Sequence, residues 1–486
     1  MKSSDRIRNA TIAGAIFTTI LLPLAYVRGQ QGAPGVPSMA GFADPTGVVR
    51  TYVDGSSSID LTNPFFQSLG TNGRSCGTCH QPSDAMTVSA AHVQARFDQS
   101  QGLDPIFRTN DGSNCDHSID VSTLDGRRAA YSLLRTRALI RIAVRVPAVR
   151  DFEVVAVRNP YGCGEMATLS MYRRPLPATN LRFLTAVMWD GRESSTQTGT
   201  TPISGANYPQ SLMSDLAHQS VDATTGHAMA ALPGPPVAQQ QAIVALEMGL
   251  SSAQAEDQGA GTLTAQGATG GPQAIPQQNF FIGINDPVGL DPTNPIPLHF
   301  NTRIFNLFDA WKDVGNPQQQ AILRGQEIFN TRTFTITEVA GLNGAKFPNG
   351  VTGPESIVST CGICHDSPNV GNHSVPAPLN IGVADPPGGK NVLDTTYLPV
   401  ITLCQKPALT NCVQTTDPGR ALITGNFDDV AKFKGPILRG LAARAPYFHN
   451  GSAQTLMDVV NFYDSRFQIG LTAQEKSDLA AFLGAL

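Results

Sequence analysis

The stretch "SCGTCH" at residues 75–80 contains Cys76-Gly77-Thr78-Cys79-His80, and "TCGICHD" at 360–366 repeats the pattern as Cys361-Gly362-Ile363-Cys364-His365. A lone CxxC fits half a zinc site or a redox disulfide. Structural zinc needs four ligands, usually from two such pairs lying close together. Here each pair stands alone, far from the other, with a histidine directly after it. That is the attachment pattern of c-type haem, in which two thioethers fix the porphyrin edge and the histidine becomes the proximal iron ligand. Two copies imply two covalent haems.

The chain has 486 residues, more than one hydrophobic core comfortably organises, so two domains are the natural prior. A net charge of −4 leaves no electrostatic footprint for nucleic acid. Lys2, Arg6 and Arg8 precede an apolar run from Ala10 to Val27, the layout of an export signal. Residues 1–30 therefore read as a signal peptide or, uncleaved, as an N-terminal anchor, since the run is long enough to serve as one. No later apolar stretch could span a bilayer, and the expected location is periplasmic. In an oxidising compartment the remaining cysteines can pair. Cys404 with Cys412 is the local bridge, and Cys115 with Cys163 follows by elimination; the alternative is four buried thiols.

Each haem calls for its own helical domain. The expected fold class is mainly α: two cytochrome c-like helical domains, each around one covalent haem, with long loops. Asn316 reads as a helix cap with Pro317 at the first helical position. Ile322, Gly325 and Phe329 follow at helical spacing, and the glycine permits close approach of another helix. The last element opens with a capping box, Thr472 and Glu475, and places Leu479, Phe482, Leu483 and Leu486 on one face. Residues 251–279 hold almost no large apolar side chains and read as a flexible loop or linker. The expected division is 31–315 for the N-terminal haem domain and 316–486 for the C-terminal one.

"KGPILRGLAARAPYFHNGSAQTLMDVVNFYD" (434–464) resembles the C-terminal signature of bacterial di-haem cytochrome c peroxidases and their relative MauG, and "MWDGRE" (188–193) resembles the inter-haem signature of that superfamily. The resemblance is strong from about residue 320 onward and patchy between Glu193 and Asn316. It implies that the N-terminal haem, on Cys76, Cys79 and His80, meets peroxide. The C-terminal haem, on Cys361, Cys364 and His365, would exchange electrons or store oxidising equivalents. Trp189 matches the tryptophan placed between the haems, against the plainer reading of a core residue. Arg192 would assist electrostatically or pair with a haem propionate. Calcium, held largely by backbone carbonyls, is a further ion the resemblance allows.

The second axial ligand of the C-terminal haem is methionine in the peroxidases and tyrosine in MauG. Tyr463 aligns at that position, and it shares a helical face with Leu456, Val459 and Val460, which turns the ring inward. Met457 lies off that face, and His373 is the runner-up. A thioether raises haem potential, whereas a phenolate favours ferric and higher states, so the chain leans to the MauG-like side.

Heterolysis of peroxide needs a group that takes a proton from the near oxygen and returns it to the leaving one. "DLAHQSVDATTGHA" (215–228) resembles the distal helix of the family, with Gln219 at the glutamine position. The proline and glutamate positions read Ala223 and Met229, so the usual acid is missing. His227, two turns beyond Gln219, or His218 would substitute, since histidine titrates near neutrality; the plainer reading is an ordinary surface or core histidine. His449 would hydrogen-bond near the second haem. His92, His117 and His299 read as solvated side chains.

The expected function is a periplasmic di-haem oxidoreductase that reacts with hydrogen peroxide and shares electrons between haems through Trp189. A small redox donor protein (cytochrome c or cupredoxin) or a protein substrate would be its partner, with no nucleic acid. Two alternatives stay open: a di-haem electron carrier without peroxide chemistry, and a dioxygenase resembling the rubber-cleaving oxygenases.

Overall fold

The computed structural model describes residues 35–115, 119–194, 207–287, 300–347, 352–375 and 377–486. The export-signal reading of residues 1–30 lies outside these, as do His117 and His299. No helix among the described residues is long and apolar enough to cross a membrane.

The C-terminal helices form where their caps predict. Asn316 accepts backbone N–H bonds from Gln318 and Gln319 and opens the helix Pro317–Thr331. Thr472 and Glu475 make a reciprocal capping box on Ala473–Gly484. The two helices cross at Gly325, where an added Cβ would lie 2.6 Å from Cβ of Phe482. Arg324 fastens the crossing with bonds of 2.7 and 2.8 Å to the Asp478 carboxylate. Ile322, Phe329, Phe482 and Leu486 then pack against Phe305, Phe308 and Trp311 in one core.

The mainly α expectation is corrected by strands, which pair into five small sheets among the described residues. Gly47–Val53 and Leu250–Asp257 are the antiparallel centre of a four-stranded sheet. Ile140–Arg145 pairs with Thr168–Arg173, and Phe152–Arg158 pairs with Val400–Gln405, which also pairs with Cys412–Thr415. Runs such as "IRIAVR" and "FEVVAVR" are rich in β-branched residues and suit a half-buried pleated surface. A reading that looked for haem-domain helices passed over them.

The linker expected at 251–279 is also corrected. It begins inside the strand Leu250–Asp257, where Ser251, Ser252 and Gln254 are wholly buried. Ser252 Oγ lies 2.7 Å from Thr51 Oγ1 and donates to Thr179 Oγ1 at 3.0 Å, while Gln254 Nε2 donates to Asp44 Oδ2 at 2.8 Å. Small polar groups, several of them hydrogen-bonded to one another, fill this interior, so no hydrophobic signal marks it. Nor does packing divide at 315/316. Residues 34–486 form one contact unit, one sheet joins Phe152–Arg158 to Val400–Gln405, and Phe305, Phe308 and Trp311 belong to the core of the C-terminal helices. The disulfides Cys115–Cys163 and Cys404–Cys412 are those expected.

Gly325→Ala should destabilise the fold by about 1–3 kcal/mol, the usual cost of overpacking. Far-UV circular dichroism on heating would show a lowered midpoint; an unchanged midpoint would mean that the helices do not meet at this residue.

Candidate functional site

The two CxxCH motifs are built alike. Each occupies a single tight helical turn, Cys76–Thr78 and Cys361–Ile363. The glycine in each is required by a neighbour: a Cβ on Gly77 would fall 2.5 Å from the Phe66 ring, and one on Gly362 would fall 2.7 Å from Ile304 Cγ1. In both motifs the histidine Nδ1–H donates to a carbonyl six residues on, His80 to Met86 O at 2.9 Å and His365 to Gly371 O at 2.7 Å. A carbonyl only accepts, so Nε2 is the nitrogen left to ligate. Burial pushes both imidazoles down to about 4, which keeps that nitrogen unprotonated near neutral pH.

Behind each turn lies a cavity. The N-terminal one has about 1530 Å³ of empty space, counting the part open to solvent, and the C-terminal one about 1730 Å³. The helix Gln210–Gly226 lays Gln219, Ala223 and Thr224 along the N-terminal cavity, with its cap residue His227. His227 Nδ1 donates to Asp111 Oδ2 at 2.5 Å. Asp111 also pairs with Arg74. Burial works against the Asp111 carboxylate, but the His227 hydrogen bond and the Arg74 charge hold it below its ordinary range.

On the C-terminal side the helix Leu456–Phe467 turns Leu456, Val459, Val460 and Tyr463 into the cavity. Met457 does not line it. The Tyr463 ring stacks on Phe467 at 6.2 Å, and burial pushes its phenol up. His373 lies 3.0 Å from the carboxylate of Asp366, the residue after His365. That places His373 beside the histidine of the second CxxCH motif. His449 stacks on Phe433 at 4.0 Å and lines the same cavity.

Trp189, Arg174, Pro175, Lys434 and Pro436 line both cavities. Trp189 Nε1 donates to Arg174 O at 2.8 Å, and its ring meets His449 edge-on at 6.0 Å. The turn that carries it is closed by Val187 N to Glu193 O at 2.9 Å and anchored by Asp190, which accepts from Arg173 at 2.5 Å and Arg192 at 2.9 Å. Arg192 thus lines the N-terminal cavity with its charge already paired. His218 faces elsewhere and bonds Glu193 at 2.7 Å, while His92 bonds the buried Asp84 at 2.7 Å and is half-exposed rather than simply solvated.

Whether these cavities suit haem c can be tested on their own atoms. Cys76, Cys79, Cys361 and Cys364 are unpaired while the other cysteines form disulfides. The walls are rich in buried cations that no described carboxylate pairs with. Burial lowers Lys434 to about 8, Arg174 to about 9, and Arg439 and Arg444 to about 10. Nε of Arg439, in the N-terminal cavity, and of Arg444, in the C-terminal one, have no hydrogen-bond partner. Propionates would supply the missing anions, so the residues fit the group.

Sequence reasoning missed Asp111, Arg74, these cations and Glu247. Lys434, Arg439 and Arg444 stood inside the quoted C-terminal signature, and Glu247 is the one acid in the apolar helical run "AIVALEMGL". Asp111, in a loop far from the helix it serves, left no local signal.

A family model described as RoxA-like, cytochrome c-like matches residues 432–469, which include Tyr463. Cytochrome-c peroxidase IdrP1 of Pseudomonas sp. (strain SCT) is 43% identical over 81 residues, 14% of this chain and 21% of that protein. Cytochrome-c peroxidase IdrP2 of Denitromonas iodatirespirans is 42% identical over 78 residues, 15% of this chain and 21% of that protein. The chain thus matches about a fifth of the length of these relatives. A MauG-like protein associated with microbial copper homeostasis aligns over 87% of this chain and 86% of its own, with 16% identity and a TM-score of 0.37. These matches lie in limited stretches, and what they show is a local similarity of the chain to cytochrome-c peroxidases and to a RoxA-like, cytochrome c-like domain.

Replacing both Cys361 and Cys364 with alanine should halve the haemochrome absorbance per protein and leave one covalent haem by mass spectrometry; retention of two would move the second attachment elsewhere. Glu247 gives a pH prediction. Burial pushes its carboxyl from 4.5 up to about 8. Between those values the folded chain keeps a proton that the unfolded chain has released, so stability falls as pH rises through the window. Denaturant unfolding across that range should show a flatter slope for Glu247→Gln; equal slopes would mean that Glu247 is not buried as described.

Proposed function

We propose that the chain is an exported di-haem oxidoreductase that reacts with hydrogen peroxide in the N-terminal cavity and shares electrons with the C-terminal cavity through Trp189. The observation that supports this most is the single indole ring lining both cavities. Cys76, Cys79 and His80 would hold one haem and Cys361, Cys364 and His365 the other, with Tyr463 as a further residue that would hold the second. When bound, haem supplies the redox chemistry with peroxide.

The chain's own residues handle protons and position. His227 keeps Nδ1 on Asp111, which leaves Nε2 to take a proton from the near peroxide oxygen and return it to the far one. Its side chain is 40% exposed, so the proton can exchange with solvent. Gln219, on the same helix, offers an amide to orient the peroxide. Burial holds Tyr463 as a neutral phenol, and losing that proton requires a cation beside it. Electrons would come from a small redox protein in the periplasm.

A dioxygen-using reaction is the second reading, favoured by one observation. Met229, at the position of the family glutamate, is 49% exposed and does not line the cavity, so no acid stands there. Rapid mixing of the ferric protein with stoichiometric peroxide separates the readings. Prompt change in the haem spectrum supports the peroxide reaction, and Trp189→Phe should then slow the change at the second haem without slowing the first. Indifference to peroxide, with dioxygen consumed by the reduced protein, would overturn it.

A further inference from the structure

We propose that Asp111 is a positioning residue that fixes His227 as the proton-transferring group of the N-terminal cavity, and so does the work of the carboxylate that the distal helix lacks. This deepens the peroxide reading and rests on it.

Asp111 comes from a different part of the chain than the helix it serves. The loop around it is held on several sides. Arg74, two residues before Cys76, donates from Nε to Pro105 O at 2.9 Å and from Nη2 to Ile106 O at 2.6 Å. Arg141 N donates to Asp111 O at 2.8 Å and its Nη2 to Asn110 O at 2.6 Å. The disulfide Cys115–Cys163 ties down the end of the loop. Asp111 is only 6% exposed. Its Oδ1 takes Arg74, and its Oδ2, 2.5 Å from His227 Nδ1, takes the imidazole.

The backbone of His227 is fixed from the same direction. Its carbonyl accepts from Asn72 Nδ2 at 2.8 Å and Arg74 Nη1 at 3.3 Å, and Asn110 Nδ2 donates to the preceding Gly226 O at 3.1 Å. Main chain and ring are therefore both oriented by the segments that flank the first haem-binding motif. An ionised carboxylate only accepts, so the bond puts the proton on Nδ1 and leaves Nε2 basic. A mere counterion for Arg74 would need no oxygen on the imidazole. The charged and titratable groups that face His227 are Asp111, Arg74 and, across the cavity, His80.

Cyanide tests this without turnover, because hydrogen cyanide must give up a proton as it binds a ferric haem. Its association rate with the ferric holoprotein would be followed by stopped-flow absorbance across the pH range, for wild type, His227→Gln, Asp111→Asn and Asp111→Glu. Haem content and thermal midpoint serve as controls. Loss of a general base costs roughly a hundredfold or more, so Asp111→Asn, which misplaces the base without removing it, should slow association about tenfold. Its pH profile should also differ from wild type, a change that a loss of packing alone would not produce. Asp111→Glu keeps the charge and displaces the ring, so the pH profile should return toward that of wild type while the rate stays reduced. If Asp111→Asn fails to hold haem, Asp111→Glu decides alone, and a wild-type rate there overturns the proposal. A slow His227→Gln beside a wild-type Asp111→Asn would make Asp111 only the counterion of Arg74. A wild-type rate in His227→Gln would overturn the reading of His227 itself.

Discussion

One guanidinium holds the centre of this molecule together. Arg173 is buried at the end of the strand Thr168–Arg173 and is clasped by Asp190 at 2.5 Å and by Asp417 at 2.6 and 2.8 Å. Burial alone would strip its proton, but the two carboxylates keep it firmly charged. Removing one partner of such a buried pair typically costs about 3–5 kcal/mol, because the remaining charge has no water to turn to. Asp190 sits in the turn that carries Trp189 and Arg192, whereas Asp417 belongs to the C-terminal half. The network therefore sets where the indole stands between the cavities. His449 Nε2 lies 4.0 Å from Asp417 and its ring 6.0 Å from Trp189, so the same cluster reaches the second cavity.

The cavities themselves are electrostatically unfinished. A protein interior tolerates Lys and Arg only when they are paired or well hydrogen-bonded. Here Arg174 rests on carbonyls alone, Arg439 and Arg444 each keep an unused Nε, and all three line cavities behind CxxCH turns. Anions brought by a cofactor would relieve that cost at the place where the cysteines and the locked histidines await attachment. Such an arrangement would couple folding to cofactor binding.

The features legible in the sequence were those with local chemistry. CxxCH, the caps at Asn316 and Thr472, the close-packing Gly325 and the inward face of Tyr463 all depend on residues within a turn or two of each other. Gln219 was placed by the likeness of one stretch to the distal helix of the family, and His227 by its helical spacing from it; both line the N-terminal cavity. What was hidden depends on distant pairing. The strand Leu250–Asp257 buries serines and a glutamine through partners some two hundred residues earlier, so its composition reads as a linker. Asp111 meets His227 only through tertiary structure. The β-branched runs were visible, but the expectation of haem-domain helices outweighed them.

Electron paramagnetic resonance of the fully ferric protein tests the central claim most directly. On the proposed assignment, with no ligating residue on the distal side of the N-terminal site and Tyr463 closing the C-terminal one, the protein should give two distinct ferric signals, one high-spin and one low-spin. Two low-spin signals would contradict the account, because both irons would then be fully ligated at rest and the chain would be fitted to carry electrons rather than to meet peroxide.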